Sequence, residues 1–231
     1  MYGRLSVSLV AELIGTFALI FIGAGAVALI AHPVAIAFAH GLVVVSFAYA
    51  YGHHSGAHIN PAVTLGVWVA GKIDAVRAIS YIVVQCVGGV LGALVLRWVL
   101  DGTTTSLGVT KLAQNFDVHG SPLSLTPGVG IVVEAILTFF LVNAVMNAGI
   151  SGKATIPGGL SIGLTLTAAI LMGLPLTGAS LNPARSLGPA VAAADYGDLW
   201  VYLVGPPLGG IVAGLLYKGF FEERAVSASG R

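Results

Sequence analysis

Two copies of the tripeptide Asn-Pro-Ala lie 122 positions apart in a chain of 231 residues. Asparagine is a favoured N-cap of helices and proline a favoured first helical residue, so each tripeptide predicts the start of a helix. An asparagine amide also carries two N–H donors and one acceptor oxygen, which suits it to holding a small polar molecule. The residues concerned are Asn60, Pro61, Ala62, Asn182, Pro183 and Ala184.

Two glutamates, Glu12 and Glu134, are the only ones in the hydrophobic segments, and they obey the same offset. A carboxylate in such a segment is costly and marks a function or a demanding structural task. Two interpretations are open. In the favoured one, each carboxylate accepts hydrogen bonds from backbone N–H groups of an irregular loop and holds that loop in shape. In the other, the two carboxylates relay protons, as in a pump.

Three histidines, His53, His54 and His58, stand just before the first tripeptide. Zinc sites need three or four converging ligands with an ordered second shell, and no cysteine or carboxylate joins these histidines nearby. We therefore predict no metal and no cofactor, and favour a lining or bracing role. A pH-sensitive gate stays open because histidine titrates near neutrality. Cys86 is alone, so no intrachain disulfide is predicted.

The composition is that of an integral membrane protein. Charged residues make up 8% and hydrophobic residues 57% of the chain, against roughly a quarter charged in soluble proteins. The mean hydropathy is +0.96. A net charge of +1 argues against a nucleic-acid partner. The first apolar segment is long enough to span a bilayer, so no separate signal peptide is predicted.

Six segments are long enough to cross a bilayer, which takes about 20 mostly apolar residues. Two shorter apolar stretches, 60–70 and 182–192, each open with an Asn-Pro-Ala. Ten helical residues rise only about 15 Å, half the hydrocarbon thickness, so these two are predicted to be half-helices that enter from opposite sides. The predicted spans are 6–30, 33–51, 74–99, 128–149, 157–174 and 198–220.

The chain is predicted to be a single domain, 1–231, made of two similar halves at about 6–100 and 128–220. Scarce residues repeat in the 122-position register: Thr16 and Thr138, Phe17 and Phe139, Gly41 and Gly163, Gly56 and Gly178, Gly66 and Gly188, Gly88 and Gly210, and Gly92 and Gly214. Three spans per half is an odd number, so the second half is inverted. The fold class is thus an all-α membrane protein with six transmembrane helices, two re-entrant half-helices and an inverted repeat.

The placement of lysines and arginines predicts that both termini are cytoplasmic and that the loop 101–127 is extracytoplasmic. The cell membrane is the expected location. Seven basic residues then lie on the cytoplasmic side, namely Arg4, Lys72, Arg77, Lys153, Lys218, Arg224 and Arg231. Three lie elsewhere, namely Arg97, Lys111 and Arg185.

Each tripeptide follows a short glycine- and serine-containing stretch, residues 54–58 and 177–180. These stretches are predicted to run extended. Non-helical backbone at membrane depth is tolerated only inside protein or beside water, so they are also predicted to line a cavity.

Over nearly its whole length the chain resembles an aquaporin of the major intrinsic protein family, through the runs 55–64 and 180–186 and the paired glutamates. The resemblance implies a right-handed bundle around one pore per subunit, usually a homotetramer in the bilayer. It implies a passive channel for water and small neutral solutes, not an enzyme. Two half-helix N-termini meeting at the midplane would oppose cations and protons. Asn60 and Asn182 would each point an amide N–H at the passing water, and carbonyls of 56–58 and 178–180 would accept along the path.

The resemblance also implies a selectivity filter made of His40, Ile170, Ala179 and Arg185. That set is similar to the filter of plant tonoplast intrinsic proteins, whose members pass water and often ammonia or urea. An apolar Ile170 lowers the demand for water-like hydrogen bonding, which suits ammonia. His119, in the long loop, corresponds to a histidine that contacts the filter arginine in ammonia-passing members; a solvated loop histidine is the alternative.

Other functions stay open at this point. Glycerol facilitators carry an aspartate after the filter arginine, where this chain has Ser186, so a glycerol or urea facilitator is less favoured. A coupled secondary transporter also uses broken helices at the midplane but would need titratable groups in the lumen. A membrane enzyme built on the histidines lacks a nucleophile–base pair.

Overall fold

A computed structural model describes residues 3–100, 106–151 and 158–222. Within these ranges six helices are long and apolar enough to cross a membrane, and two shorter helices and a β-hairpin accompany them. The long helices are α1 (Leu5–Leu29), α2 (Pro33–Ser55), α4 (Ala75–Val99), α5 (Pro127–Ile150), α6 (Gly158–Thr177) and α8 (Leu199–Phe221). The short helices are α3 (Pro61–Val69) and α7 (Pro183–Ala193), and the strands are β1 (Phe116–Val118) and β2 (Ser121–Leu123).

The two short helices begin where the tripeptides predicted. Asn60 Oδ1 accepts a hydrogen bond from the Ala62 N–H at 2.8 Å, and Asn182 Oδ1 accepts from the Ala184 N–H at 3.0 Å. A proline occupies the first turn of each helix, where its missing N–H costs nothing. With 9 and 11 residues, neither helix is long enough to cross a bilayer.

The long helices α2 and α6 extend beyond their predicted ends at residues 51 and 174, to Ser55 and Thr177. Each then ends at a glycine in the left-handed conformation, Gly56 with φ 85° and Gly178 with φ 77°. Glycine adopts this conformation without a Cβ penalty and is the usual helix stop. Polar residues such as His54 therefore belong to the last helical turn rather than to the loop.

The prediction that the stretches before the tripeptides are extended is wrong. Ala57 and Ile59 have φ values of 47° and 42°, and Ala179 and Leu181 have 46° and 54°. Left-handed backbone costs about 1–3 kcal/mol for a non-glycine residue, so it must be held by its surroundings. Both stretches repeat the same unusual geometry, which is a structural signature of the duplication.

The two halves interlock. Helix α1 packs along α4 in the first half and α5 along α8 in the second, while α2 and α6 pack against each other across the halves. The short helices cross over: α3 packs against α8, and α7 against α4. The first residue of α1 and the last residue of α8 lie on one side of the bundle, called the terminal side below. Residues 106–126 lie on the opposite side, called the loop side.

Glycine contacts correct part of the predicted repeat register. A Cβ on Gly88 would overlap the Leu13 carbonyl oxygen, and a Cβ on Gly209 would overlap the Ala135 carbonyl oxygen. Leu13 and Ala135 are 122 positions apart, but Gly88 and Gly209 are 121 apart. The structural counterpart of Gly88 is therefore Gly209, not Gly210, because the second half has one residue fewer between its short helix and this contact. The predicted pairing of Gly92 with Gly214 fails for the same reason.

Replacing Gly209 by alanine is expected to lower the midpoint of thermal unfolding by roughly 2–10 °C, since overpacking costs about 1–3 kcal/mol. The added methyl group would overlap backbone of α5, which cannot swing aside as a side chain can. The measurement is thermal unfolding of purified protein in detergent. Gly52→Ala in α2 is the matched control, because nothing lies within 4 Å of a Cβ there. Equal shifts for the two variants would contradict the packing argument.

Candidate functional site

The two short helices meet end to end through their capping asparagines. Asn60 Nδ2 donates a hydrogen bond to the Leu181 carbonyl at 2.8 Å, and Asn182 Nδ2 donates to the Ile59 carbonyl at 3.0 Å. Each cap thus reaches across to the loop of the other half. An amide nitrogen has two hydrogens, so each asparagine keeps a second donor beyond this cross-link. The positive ends of both helix dipoles lie at the same place.

A narrow cavity passes this meeting point. The volume open to water in this cavity is about 40 Å³, roughly three times the volume that a single water needs. Its lining includes both asparagines together with Gly56, Ala57 and Ser180. The apolar lining residues are Leu19, Val44, Val63, Leu141, Val145, Ile162 and Leu166. A few polar groups in a largely apolar lining can hold water with few competing partners.

On the terminal side the narrow cavity adjoins a wider one of about 380 Å³. The two cavities share five lining residues, so they are adjacent; these residues are Ala48, Gly56, His58, Val145 and Ile162. His58 therefore lies between the wide and the narrow cavity. Its Nδ1 lies 3.2 Å from Thr64 Oγ1 and its ring meets the Tyr81 ring edge-on.

His40 and Arg185, two of the four predicted filter residues, line the narrow cavity together. His40 Nδ1 lies 2.9 Å from the Ile36 carbonyl oxygen, which can only accept, so Nδ1 carries the hydrogen and Nε2 is an acceptor. His40 Nε2 and Arg185 Nε are both buried and have no hydrogen-bond partner within the described residues. A small polar molecule that both donates and accepts would satisfy them.

Ile170 and Ala179, the other two predicted filter residues, are buried in the hydrophobic core at 1% and 2% exposure. They are not among the described residues that line the narrow cavity. The structure thus brings His40 and Arg185 to one cavity, while the membership of Ile170 and Ala179 in the selectivity filter stays a prediction.

Arg185 is held by a residue that sequence reasoning missed. Its Nη1 donates to the Gly108 carbonyl oxygen at 2.6 Å. Gly108 has φ 71°, and a Cβ there would lie 2.6 Å from the Ala24 carbonyl oxygen, so only glycine fits. A glycine in a long loop is common, and no feature of the sequence singled this one out.

The predicted contact between His119 and Arg185 is absent from the described structure. Strands β1 and β2 pair antiparallel with Val118 opposite Ser121, which places His119 at the turn of the hairpin. There its side chain is exposed and its φ is 52°. The guanidinium partner on this side is a backbone carbonyl rather than the loop histidine.

Glu12 accepts four hydrogen bonds in a fully buried position. Its Oε1 accepts from the Ser55 hydroxyl at 2.6 Å and the His58 N–H at 2.8 Å. Its Oε2 accepts from the Ile59 N–H at 2.5 Å and from Gln85 Nε2 at 2.8 Å. Both backbone donors belong to the left-handed stretch before Asn60, so the carboxylate stabilises a loop that the chain alone would not adopt.

Glu134 repeats this arrangement with three donors. Oε1 accepts from the Thr177 hydroxyl at 2.7 Å and the Ser180 N–H at 2.9 Å, and Oε2 accepts from the Leu181 N–H at 2.8 Å. Under the 121-position register of the last helix, the counterpart of Gln85 is Pro206, which has no side-chain donor. The two halves therefore hold their loops unequally.

The histidine cluster does not form a ligand set. His53 and His54 have ring centroids 3.8 Å apart at the end of α2, whereas His58 lies at the cavity. Within residues 3–100, 106–151 and 158–222, no group of three His, Cys, Asp or Glu side chains is arranged to hold a metal ion.

Comparison with known proteins agrees with this architecture, an inverted repeat whose two half-helices meet over a narrow passage. The family profile described as major intrinsic protein matches residues 4–217. The chain therefore belongs to the major intrinsic protein family, and the predicted fold class is confirmed. The aquaglyceroporin from Plasmodium falciparum superposes with a TM-score of 0.80 at 24% identity, over 94% of this chain and 97% of that one, which supports the fold alone.

Several aquaporins are similar at 38% identity. They include aquaporin Z of Photorhabdus laumondii, over 94% of this chain and 98% of that protein, and aquaporin TIP4-4 of Zea mays, over 93% and 86%. Aquaporin-4 of Mus musculus matches over 81% of this chain, which spans only 56% of that longer protein. Each of these relatives is named an aquaporin, in agreement with the family assignment.

Replacing each carboxylate by an amide tests the bracing of the two loops. In Glu12→Gln the new NH₂ group faces a backbone N–H at either oxygen position, and the Ser55 hydroxyl or the Gln85 amide must also turn to accept from it, whereas in Glu134→Gln the NH₂ group can face the Leu181 N–H alone. Each lost bond leaves a buried donor unsatisfied at about 1–3 kcal/mol, so Glu12→Gln is expected to unfold at the lower temperature. The measurement is thermal unfolding in detergent. Unchanged stability with lost transport would favour the proton-relay alternative instead.

Proposed function

We propose that this protein is a passive channel for water, and that ammonia or other small neutral solutes also pass. The observation that carries the proposal is the meeting of Asn60 and Asn182 beside a narrow cavity with room for about three waters. Each asparagine is locked by one cross-bond and one cap, so its remaining N–H has a fixed direction. A water that gives its oxygen to both donors is then oriented without being held tightly.

The same geometry supports the proposal that protons and ions are excluded. The N-terminal ends of α3 and α7 place two partial positive charges beside the cavity, at the point where the capping asparagines meet. Arg185 adds a full positive charge to the cavity lining. A cation would lose hydration there without gaining a carboxylate, since Glu12 and Glu134 are fully buried behind the loops. A water oriented by both asparagines cannot accept a proton from its neighbour on that face.

Passage of ammonia is supported by the chemistry of the residues near Arg185. His40 Nε2 is a buried acceptor and Arg185 Nε a buried donor on the same cavity. Ammonia donates and accepts hydrogen bonds, as water does, but it is less strongly hydrated. Ile170 gives the proposed filter an apolar side chain at a position where a polar one could stand. This lowers the barrier for a solute that makes fewer hydrogen bonds.

The protein is proposed to act as a homotetramer in the cell membrane with both termini in the cytoplasm. Large apolar side chains cover the outer faces of the bundle, for example Val132, Ile136 and Phe140 on α5, each at least 50% exposed. Lipid or a second subunit must cover such faces. Three of the basic residues that indicate orientation, Lys153, Arg224 and Arg231, lie outside the described residues.

Stopped-flow light scattering on proteoliposomes tests the proposal directly. Water flux well above that of empty vesicles is expected, with a low activation energy and no dependence on an ion or proton gradient. Glycerol flux is expected to stay near that of empty vesicles. A flux that requires an ion gradient would instead identify a coupled transporter.

Arg185→Ala removes the guanidinium and its bond to Gly108, so the narrow end is expected to widen. Urea and glycerol permeability should rise by about tenfold relative to water, the change that ~1.4 kcal/mol of barrier produces. Arg97→Ala is the matched control, because Arg97 also donates to a backbone carbonyl, that of Ala192, but does not line the cavity. Equal selectivity in the two variants would remove Arg185 from the proposed filter.

Ile170→His is expected to lower the ratio of ammonia to water permeability several-fold, because it restores a polar wall. His119→Ala is expected to leave the ratio of ammonia to water permeability unchanged, since the side chain of His119 lies at the exposed hairpin turn. Ammonia entry is measured as the rise in pH inside the vesicles, reported by the fluorescence of a trapped pH-sensitive dye. A fall caused by His119→Ala would restore the contact that the sequence resemblance implied.

A further inference from the structure

The two halves support their half-helices with different side chains. In the first half, Gln85 of α4 donates to Glu12 at 2.8 Å and to Thr64 Oγ1, in the first turns of α3, at 2.9 Å. The counterpart of Thr64 in α7 is Ser186, which stands 122 positions later. No glutamine can reach Ser186 from α8, because Pro206 occupies the equivalent position. The second half therefore needs another source of support.

That support comes from the loop between the halves. Thr110 is 4% exposed, and its Oγ1 lies 2.7 Å from Ser186 Oγ. Ser186 Oγ donates to Ser180 Oγ at 2.7 Å, and Ser180 Oγ donates to the Asn182 carbonyl oxygen at 2.8 Å. A hydroxyl has one hydrogen, and that of Ser186 is directed to Ser180, so Ser186 can accept from Thr110, whose hydroxyl also has a hydrogen-bond contact with Tyr202. A chain of three hydroxyls thus leads from the loop to the second Asn-Pro-Ala.

Thr110 also contacts the other end of the same pore loop. A Cβ on Gly178 would lie 3.3 Å from Thr110 Cα and 3.4 Å from its Cβ, which is direct packing. Two residues earlier, Gly108 accepts the hydrogen bond from Arg185. Residues 108–110 therefore hold the beginning of the stretch 178–182, the start of α7 and the guanidinium at once.

The residues that follow Thr110 are fixed to the bundle. The Leu112 N–H donates to Asp198 Oδ2 at 3.1 Å, and the Ala113 N–H donates to the Leu176 carbonyl at 2.7 Å. Lys111 forms an ion pair with Asp195 at 2.7 Å. The backbone that carries Thr110 is therefore held in place, although it does not belong to a helix.

We propose that Thr110 is a positioning residue that sets the selectivity of the channel, taking in the second half the place that Gln85 has in the first. The inference rests on the proposed function. Without its hydroxyl, the Ser186 oxygen loses its buried donor and the hydroxyl chain is free to rearrange. Arg185 is the chain neighbour of Ser186, so a shift there moves the guanidinium from the cavity wall and admits larger solutes.

The test compares Thr110→Val, which keeps the shape but removes the hydroxyl, with Thr110→Ser, which keeps the hydroxyl. Thr165→Val is the matched control, since Thr165 donates only to the Ser161 carbonyl of its own helix. Purified variants are placed in proteoliposomes at equal protein content, and urea and water permeabilities are measured. The urea-to-water ratio is expected to rise about fivefold in Thr110→Val, the effect of ~1 kcal/mol. It should return to the wild-type value in Thr110→Ser.

Ser186→Ala removes the other end of the same hydrogen bond and carries the test if Thr110→Val does not fold. The effect of the double variant should be smaller than the sum of the two single effects, because the two substitutions share the loss of the Thr110–Ser186 bond. A ratio that is unchanged or lowered in Thr110→Val, or additive effects in the double variant, overturns the positioning role while wild-type water flux persists. Wild-type vesicles without water flux overturn the proposed function and this inference together.

Discussion

The structure depends on one constraint: irregular backbone placed at membrane depth must have every N–H and C=O group satisfied from within the protein. Each stretch before a tripeptide has three left-handed residues, at positions 56, 57 and 59 and at 178, 179 and 181, so it cannot bond to itself as a helix does. Glu12 and Glu134 supply the missing acceptors, each taking two backbone N–H groups. The carbonyls that this arrangement turns away from the glutamates are then free to face the cavity or the opposite half.

This constraint explains why the two halves must interlock. Each capping asparagine donates to a carbonyl of the opposite loop, Asn60 to Leu181 and Asn182 to Ile59, so neither loop is satisfied by its own half. The short helices likewise pack against a long helix of the other half, and those contacts allow only glycine. A Cβ on Gly66 would lie 2.6 Å from the Gly210 carbonyl oxygen. One half alone would leave buried donors and an open apolar face.

The sequence predicted the helices because their signals are local. Apolar length, an asparagine cap and a following proline located the eight helices of the described ranges to within a few residues. It failed where tertiary contacts decide. Extended loops were predicted from glycine and serine content, but the carboxylate of Glu12 selects left-handed backbone instead. Residues of the last helix follow their counterparts in the first half by 121 positions rather than 122. The sequence concealed this shift because a glycine, Gly210, also stands 122 positions after Gly88. Partners of Arg185 and Ser186 come from the long loop, whose path no periodicity encodes.

The inequality of the halves bears on mechanism. A proton-coupled transporter needs a carboxylate that changes its partners during the cycle. Both oxygens of Glu12 are fully used by donors that include two rigid backbone N–H groups, and neither Glu12 nor Glu134 is among the described residues lining the cavity. Protonation of Glu12 would place a hydrogen against one of these donors and release the loop that carries Asn60. We therefore propose that the carboxylates act as fixed braces, so that the channel proposed above needs no alternation between two states.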